Sequence, residues 1–218
     1  FLAHSMGGLV CRVMIERQPD LWDALVKRPN GRLVMLGTPN NGSHLIVQHL
    51  IGKAGTTRSI AKLDIQHSLQ ELLDVVATIP GALQLLPRPS SQFQDTAAKQ
   101  ATDYFDAAIW RDFKPKVRDR WFGDGIVATP DAAVLDSARE LWTQDLKHNH
   151  ISRHPERVCY VFGQDSKTAC GIEQFTDSQG RDALRILETP FGDGSVTWKS
   201  GRLDNLLDNH WWMPVSHG

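Results

Sequence analysis

Apolar and polar positions follow different periods along the chain. Leu2 and Ala3 close a short apolar run, Gly7-Gly8 mark a sharp turn, and Leu9, Val10, Val13 and Met14 then recur at the spacing of a buried helix face. Pro19 ends that helix or follows its end. Arg32 to Leu36 is a short apolar run between Asn30-Gly31 and Gly37-Thr38-Pro39-Asn40-Asn41-Gly42, which is the length and punctuation of a buried strand. From about Ser43 to His150 the period turns helical. Ile60, Leu63, Leu69, Leu72, Leu73 and Val76 form one series, and Tyr104, Phe105, Ala108 and Ile109 another. A third helix is predicted to start at Thr129-Pro130, with the threonine as N-cap and the proline first inside; it carries Val134, Leu135, Ala138, Leu141, Trp142 and Leu146. Loops such as Pro80-Gly81 and Pro87-Arg88-Pro89-Ser90 separate these helices. Strand patterning returns at Arg157 to Phe162, where Val158, Tyr160 and Phe162 alternate with Cys159 and Val161. Ile172 to Thr176 and Ala183 to Leu187 flank Asp177-Ser178-Gln179-Gly180 in a hairpin pattern, and His210 to Val215 reads as a last strand.

Strand, helix, strand, helical stretch, then further strands predicts an α/β fold, a mostly parallel sheet covered by helices. The expected division is a core in residues 1–43, a helical cap or lid insertion in 44–150, and core again in 151–218.

Composition narrows the functional classes. Of 218 residues, 41% are hydrophobic and 22% charged, which suffices for a sizeable core. A formal net charge of -1 does not steer the chain to nucleic acid or an anionic membrane surface. No apolar run approaches the roughly 20 residues that span a bilayer. Cys11, Cys159 and Cys170 show no CxxC spacing and read as plain thiols rather than a disulfide framework or zinc site. Phe1-Leu2-Ala3 reads as the tail of a strand and His217-Gly218 as a loop, so the chain is expected to be part of a longer protein.

The segment Leu2-Ala3-His4-Ser5-Met6-Gly7-Gly8 carries the chemistry. A serine between a strand and a helix needs a tight turn that strains its backbone and crowds its neighbours, so the residues two before and two after must be small; Ala3 and Gly7 are. Such a turn lifts the hydroxyl above the sheet at a helix N-terminus, where the Met6 N–H can donate to a developing oxyanion. With these residues in view, AHSMGG resembles the nucleophile elbow of the α/β-hydrolase superfamily, with alanine for the usual first glycine. Leu33-Val34-Met35-Leu36-Gly37-Thr38-Pro39-Asn40-Asn41-Gly42-Ser43 is similar to the GTPxxGS segment of lipases, in the branch of lecithin:cholesterol acyltransferase-like and inositol-deacylase-like enzymes. The resemblance covers the two ends of the chain well and the middle poorly. It implies an α/β-hydrolase fold from the nucleophile onward, with the strands and second oxyanion donor of that fold preceding Phe1.

A serine hydroxyl needs a histidine to take its proton and a carboxylate to orient that histidine. The superfamily order is Ser, then Asp or Glu, then His. Asp193 leads the candidates for the acid: Gly192-Asp193-Gly194-Ser195-Val196 has flanking glycines that permit close approach, and it resembles the GDGTV acid loop of the acyltransferase-like branch. Asp165, after Val161-Phe162-Gly163-Gln164, and Asp124, in Gly123-Asp124-Gly125, compete with it; most Gly-Asp pairs are solvated turns. For the base, His217 follows the last strand, whereas the alternative His210 would lie at that strand's start, at the opposite end of the sheet. Ser5, Asp193 and His217 are thus the expected catalytic residues, with Met6 as oxyanion donor, and no cofactor or metal is called for. The expected substrate is an ester or lipid. The same residues would serve acyl transfer to an alcohol other than water, and a hydrolase fold without turnover would serve as a binding module.

His148, His150 and His154 lie together without a Cys or carboxylate at ligand spacing, and read as a polar loop. His4 is expected to pack at the elbow or line the pocket, with no role in proton transfer. Of Trp198, Trp211 and Trp212, at least two are expected in the core and one as a wall of the acyl pocket.

Overall fold

A computed structural model describes residues 1–89, 95, 102–203 and 209–218. In chain order the elements are β1 (Leu2–His4), α1 (Met6–Arg17), α2 (Pro19–Val26), β2 (Leu33–Leu36), α3 (His44–Leu50), α4 (Gly55–Leu63), α5 (Leu69–Ala77), α6 (Pro80–Leu83), α7 (Ala107–Phe113) and α8 (Ala132–Glu140). They continue with β3 (Val158–Phe162), β4 (Thr168–Thr176), β5 (Asp182–Thr189), α9 (Trp198–Gly201) and β6 (His210–Trp212). The chain divides into two compact units. One comprises residues 1–43, 140–168 and 189–218, the other residues 44–139 and 169–188.

The first unit is α/β, with a parallel sheet ordered β1-β2-β3-β6 among the described residues. One row of the register runs Ala3, Met35, Tyr160, His210 across the strands. The predicted alternation is what buries one face. Leu33 and Met35 of β2, and Val158, Tyr160 and Phe162 of β3, point into a core with Ala3, Ile15, Trp22, Val26, Ile151 and Leu203. Each such aliphatic side chain contributes about 1.5–3 kcal/mol of burial. Helix α1 turns Gly8, Leu9, Arg12 and Ile15 inward, a face of helical period. Pro19 does not merely end α1. Gln18 donates its N–H back to Met14, and Pro19 opens α2 at the first helical position, where a missing N–H does no harm.

The second unit holds α3 to α7, most of α8, and a two-stranded sheet of β4 and β5. Several boundaries differ from expectation; β4 starts at Thr168 rather than Ile172, and β5 runs Asp182–Thr189. Tyr104 and Phe105 precede α7, which starts only after Asp106 accepts the Ala108 N–H. Helix α8 starts two residues later than Thr129-Pro130 predicts, because the Asp131 carboxylate takes the Ala133 N–H at 2.9 Å. Pro80-Gly81 forms the first turn of α6 rather than a loop. Of the predicted loop at residues 87–90, Ser90 lies outside the described residues. Helix α5 begins at a capping box in which Ser68 and Glu71 satisfy each other's backbone N–H.

Asp119 is a heavily bonded carboxylate of this unit. It accepts from Lys53 Nζ at 2.9 Å, from Arg58, and from the N–H groups of Trp121 and Phe122, while the Arg58 guanidinium lies 4.7 Å over the Phe122 ring. Its side chain is 7% exposed. Burial alone would raise this carboxyl, but the bonds from Arg58, Lys53 and the two backbone donors outweigh it and hold the group well below the usual carboxylate range. A depressed carboxyl stabilises the fold fully above its unfolded value, about pH 4, and that contribution is lost as pH falls below it. Asp119→Asn is therefore expected to cost about 2 kcal/mol in urea unfolding at pH 7, with the gap from wild type narrowing below about pH 4. An equal gap at pH 7 and pH 2.5 would contradict this.

Candidate active site

Ser5 follows β1 directly and precedes α1, with φ 52° and ψ -129°. This is a left-handed, glycine-favouring backbone, costing of order 1–3 kcal/mol for a side-chain-bearing residue. The turn is held by the Ser5 N–H on Leu36 O at 2.9 Å, which extends the β1–β2 ladder, and by the Gly8 N–H on Ser5 O at 3.1 Å. Close packing falls one residue later than the sequence suggests. A Cβ on Gly7 would meet that of Ala3 at an ordinary 3.9 Å, whereas one on Gly8 would lie 2.0 Å from Thr38 Oγ1. Met6 is the first residue of α1, so its N–H belongs to the donors that a helix start leaves without an intrahelical partner.

Asp193 and His217 arrive from the far end of the chain. Phe191 to Thr197 form a tight loop, closed by the Asp193 N–H on Val196 O and the Trp198 N–H on Phe191 O. The Asp193 side chain is 4% exposed and uses both oxygens. Oδ1 accepts the Ser195 and Val196 N–H groups at 2.9 and 2.7 Å; Oδ2 accepts from His217 Nδ1 at 2.8 Å. His217 Nε2 stands 2.8 Å from Ser5 Oγ. A carboxylate only accepts, so Nδ1 carries the proton and Nε2 presents its lone pair to the serine hydroxyl. The structure thus brings Ser5, His217 and Asp193 into one continuous chain of hydrogen bonds within the first unit.

None of the competing residues joins this hydrogen-bond chain, although Asp165 lies beside the Asp193 loop, its N–H on Gly192 O at 2.6 Å. Asp165 caps the turn that follows it, accepting from the Lys167 N–H at 3.3 Å and from Ser166 Oγ at 3.2 Å. Asp124 belongs to the second unit, where it takes the Asp119 N–H at 2.9 Å and faces Arg118 and Arg181. His210 starts β6 beside Tyr160, Phe162 and Trp212, and burial, then Arg202, hold its imidazole below the ordinary histidine value. His150 rests on Glu16 and His154 on Asp23. The expectation for the tryptophans is corrected. Trp198 packs on Phe191 and Phe162 and donates to Gly163 O, but Trp211 and Trp212 are 64% and 58% exposed, because β6 is an edge strand among the described residues.

Several residues shape the site without having been singled out in the sequence. Gly37 has φ +54°, and a Cβ there would lie 2.8 Å from Asp193 Oδ2 and 2.9 Å from His217 Nδ1; one on Gly163 would lie 2.8 Å from Asp193 Cβ. The acid loop and the α9 turn that follows it are fastened to residues 40–43. Asn40 Nδ2 donates to Gly201 O, Asn41 Nδ2 to Ser200 O and Arg202 O, Ser43 Oγ to Ser195 O, and Ser200 Oγ to Gly42 O. Buried Arg12 donates to both the backbone and side-chain oxygens of Asn40. Thr168 Oγ1 accepts the Gly194 N–H, and Tyr160 donates its hydroxyl to Thr38 O at 2.7 Å. Burial, and then the charge of Asp193, push the Tyr160 phenol well above its ordinary value, so it stays a donor.

Along the chain the serine turn comes first, the carboxylate loop next and the histidine loop last, and the three side chains meet beyond the carboxyl ends of β1 and β2. No protein-family model matches the chain, and no curated protein does. Among solved structures it is similar to a chain of the Tle4-Tli4 complex, with a TM-score of 0.48 and 18% identity over 97% of this chain. The match covers 52% of that chain, so the present sequence spans about half its length. A likeness of that size carries no function across.

Two outcomes follow from the geometry. Alanine cannot adopt the Ser5 backbone without strain and glycine can, so Ser5→Gly should exceed Ser5→Ala in stability by about 1 kcal/mol, the reverse of the usual order; both lose the same hydroxyl. Gly37→Ala should push the Asp193–His217 pair apart and lower any activity of the site by about 100-fold, at a cost of about 1–3 kcal/mol in stability. Wild-type activity in that variant would mean that the pair tolerates displacement.

Proposed function

We propose that this chain is part of a serine hydrolase of the α/β-hydrolase superfamily that cleaves carboxylic esters, with lipid esters as the substrate class suggested by the sequence resemblance. The observation that carries the reading is the hydrogen-bond chain from the Ser5 hydroxyl through His217 to buried Asp193, both steps 2.8 Å, starting at a strained serine. In this reading, residues 44–150 are the variable insertion between core strands.

The reaction divides into acylation and hydrolysis. Ser5 Oγ attacks the ester carbonyl while its proton passes to His217 Nε2. The Asp193 carboxylate, already bonded to Nδ1, stabilises the imidazolium without becoming protonated. Negative charge gathers on the former carbonyl oxygen, where the Met6 N–H and the N-terminal end of α1 oppose it. As the C–O bond breaks, His217 returns the proton to the departing alcohol. Water then attacks the acyl-enzyme, with His217 again acting as base, and the carboxylic acid leaves from Ser5. No step needs a metal or redox partner.

In the full-length protein, Ser5→Ala should lower kcat for p-nitrophenyl ester hydrolysis by at least about 10³-fold, and Asp193→Asn by about 10⁴-fold, each with KM little changed. A fluorophosphonate should label Ser5 in the wild type and nothing in Ser5→Ala. Turnover surviving the loss of the Ser5 hydroxyl would end the proposal.

A further inference from the structure

His217 sits in a stretch without helix or strand, after β6, and still has to hold its ring 2.8 Å from the serine. Its backbone N–H donates to Asp193 O at 2.8 Å. Its backbone C=O is taken by a side chain: His4 Nε2 lies 2.8 Å from His217 O, and the two imidazole rings meet with centroids 4.9 Å apart at 41°. A carbonyl oxygen only accepts, so His4 Nε2 carries the proton. His4 is the last residue of β1, adjacent to Ser5 in the chain.

We propose, resting on the hydrolase reading above, that His4 is a positioning residue that clamps the His217 loop to the nucleophile strand. The base is then held from both sides, by the acid residue at its N–H and by the residue before the nucleophile at its C=O. The distance between base and nucleophile is set by one covalent step plus one hydrogen bond, rather than by the whole path through the sheet. The Gln164 N–H on Val215 O and the His217 N–H on Asp193 O hold the chain up to His217, and the His4 bond is the restraint on its carbonyl side, where a displacement of about 1 Å is enough to cost about 100-fold in rate. His4 is exposed, so its bond contributes little to global stability, and its effect falls on where the base sits.

Two substitutions separate the bond from the ring. His4→Phe keeps an aromatic ring and loses the donor; His4→Gln loses the ring and offers an amide N–H at nearly the same reach. In the full-length protein, His4→Phe should lower kcat for a p-nitrophenyl ester, and the rate of fluorophosphonate labelling, by about 10- to 100-fold with KM and melting temperature unchanged. His4→Gln should stay within about threefold of wild type. The low-field proton resonance of His217 Nδ1–H, which needs no substrate, should broaden in His4→Phe and persist in His4→Gln. Wild-type kinetics and an unaltered resonance in His4→Phe would overturn the clamp, as would equal losses in both variants. If the wild type turned over no ester while the resonance still followed the donor, the clamp would stand and the hydrolase reading would fall.

Discussion

An absent side chain governs the site. Parallel pairing of β1, β2 and β3 sets the ends of neighbouring strands side by side, with Ser5 directly after β1, Gly37 directly after β2 and Gly163 directly after β3. Asp193 and His217 meet over Gly37, where any Cβ would intrude on both functional groups at under 3 Å. Gly163, just past β3, makes the same room for the Asp193 side chain and the Val215 carbonyl. The sheet therefore does two things for the site. Its register fixes where the loops start, and its glycines leave the space in which those loops converge.

Convergence also needs the loops to stay put. A buried carboxylate is tolerable only when its lone pairs are satisfied, and Asp193 accepts two backbone N–H bonds from its own loop as well as the imidazole. That loop is in turn fastened by Ser43, and the α9 turn after it by Asn40, Asn41 and Ser200, while Arg12 reaches from α1 to hold Asn40. The residues that follow β2 thus work as a buckle between α1, the helix after Ser5, and the loop of Asp193. Their polar character, in a segment buried almost throughout, follows from the many backbone carbonyls that this junction must satisfy.

What the sequence discloses is local. The elbow is legible because a strained turn imposes small residues within a few positions, and the strands of the parallel sheet because Leu33, Met35, Val158, Tyr160 and Phe162 keep a strict period of two. What depends on distant neighbours is not legible. Pro19 is equally a terminator or a first helical residue until the chain after it is seen to helix. Gly37 reads as turn punctuation, and only folding brings His217 over it. Gly8 gives no sign of differing from Gly7, since the Thr38 side chain that excludes a Cβ there arrives from the next strand. Trp211 and Trp212 have core-like composition, but composition does not say which strand forms an edge.

Proton positions along the site are fixed by the chemistry of the acceptors. Asp193 Oδ2 and His217 O can only receive, so His217 Nδ1 and His4 Nε2 must both carry hydrogen, and His217 Nε2 is left as the one acceptor facing Ser5 Oγ. In the proposed reaction, neither of the other two bonds changes direction when that nitrogen takes the serine proton. Nδ1–H still points at Asp193, the neutral hydrogen bond now becoming an ion pair, and the carbonyl still holds His4. Charge can appear on the imidazole with no donor or acceptor around it having to turn. Freedom from reorganisation at the moment of charge transfer is what a folded site offers over water, and here it follows from two oxygens that have no proton to give.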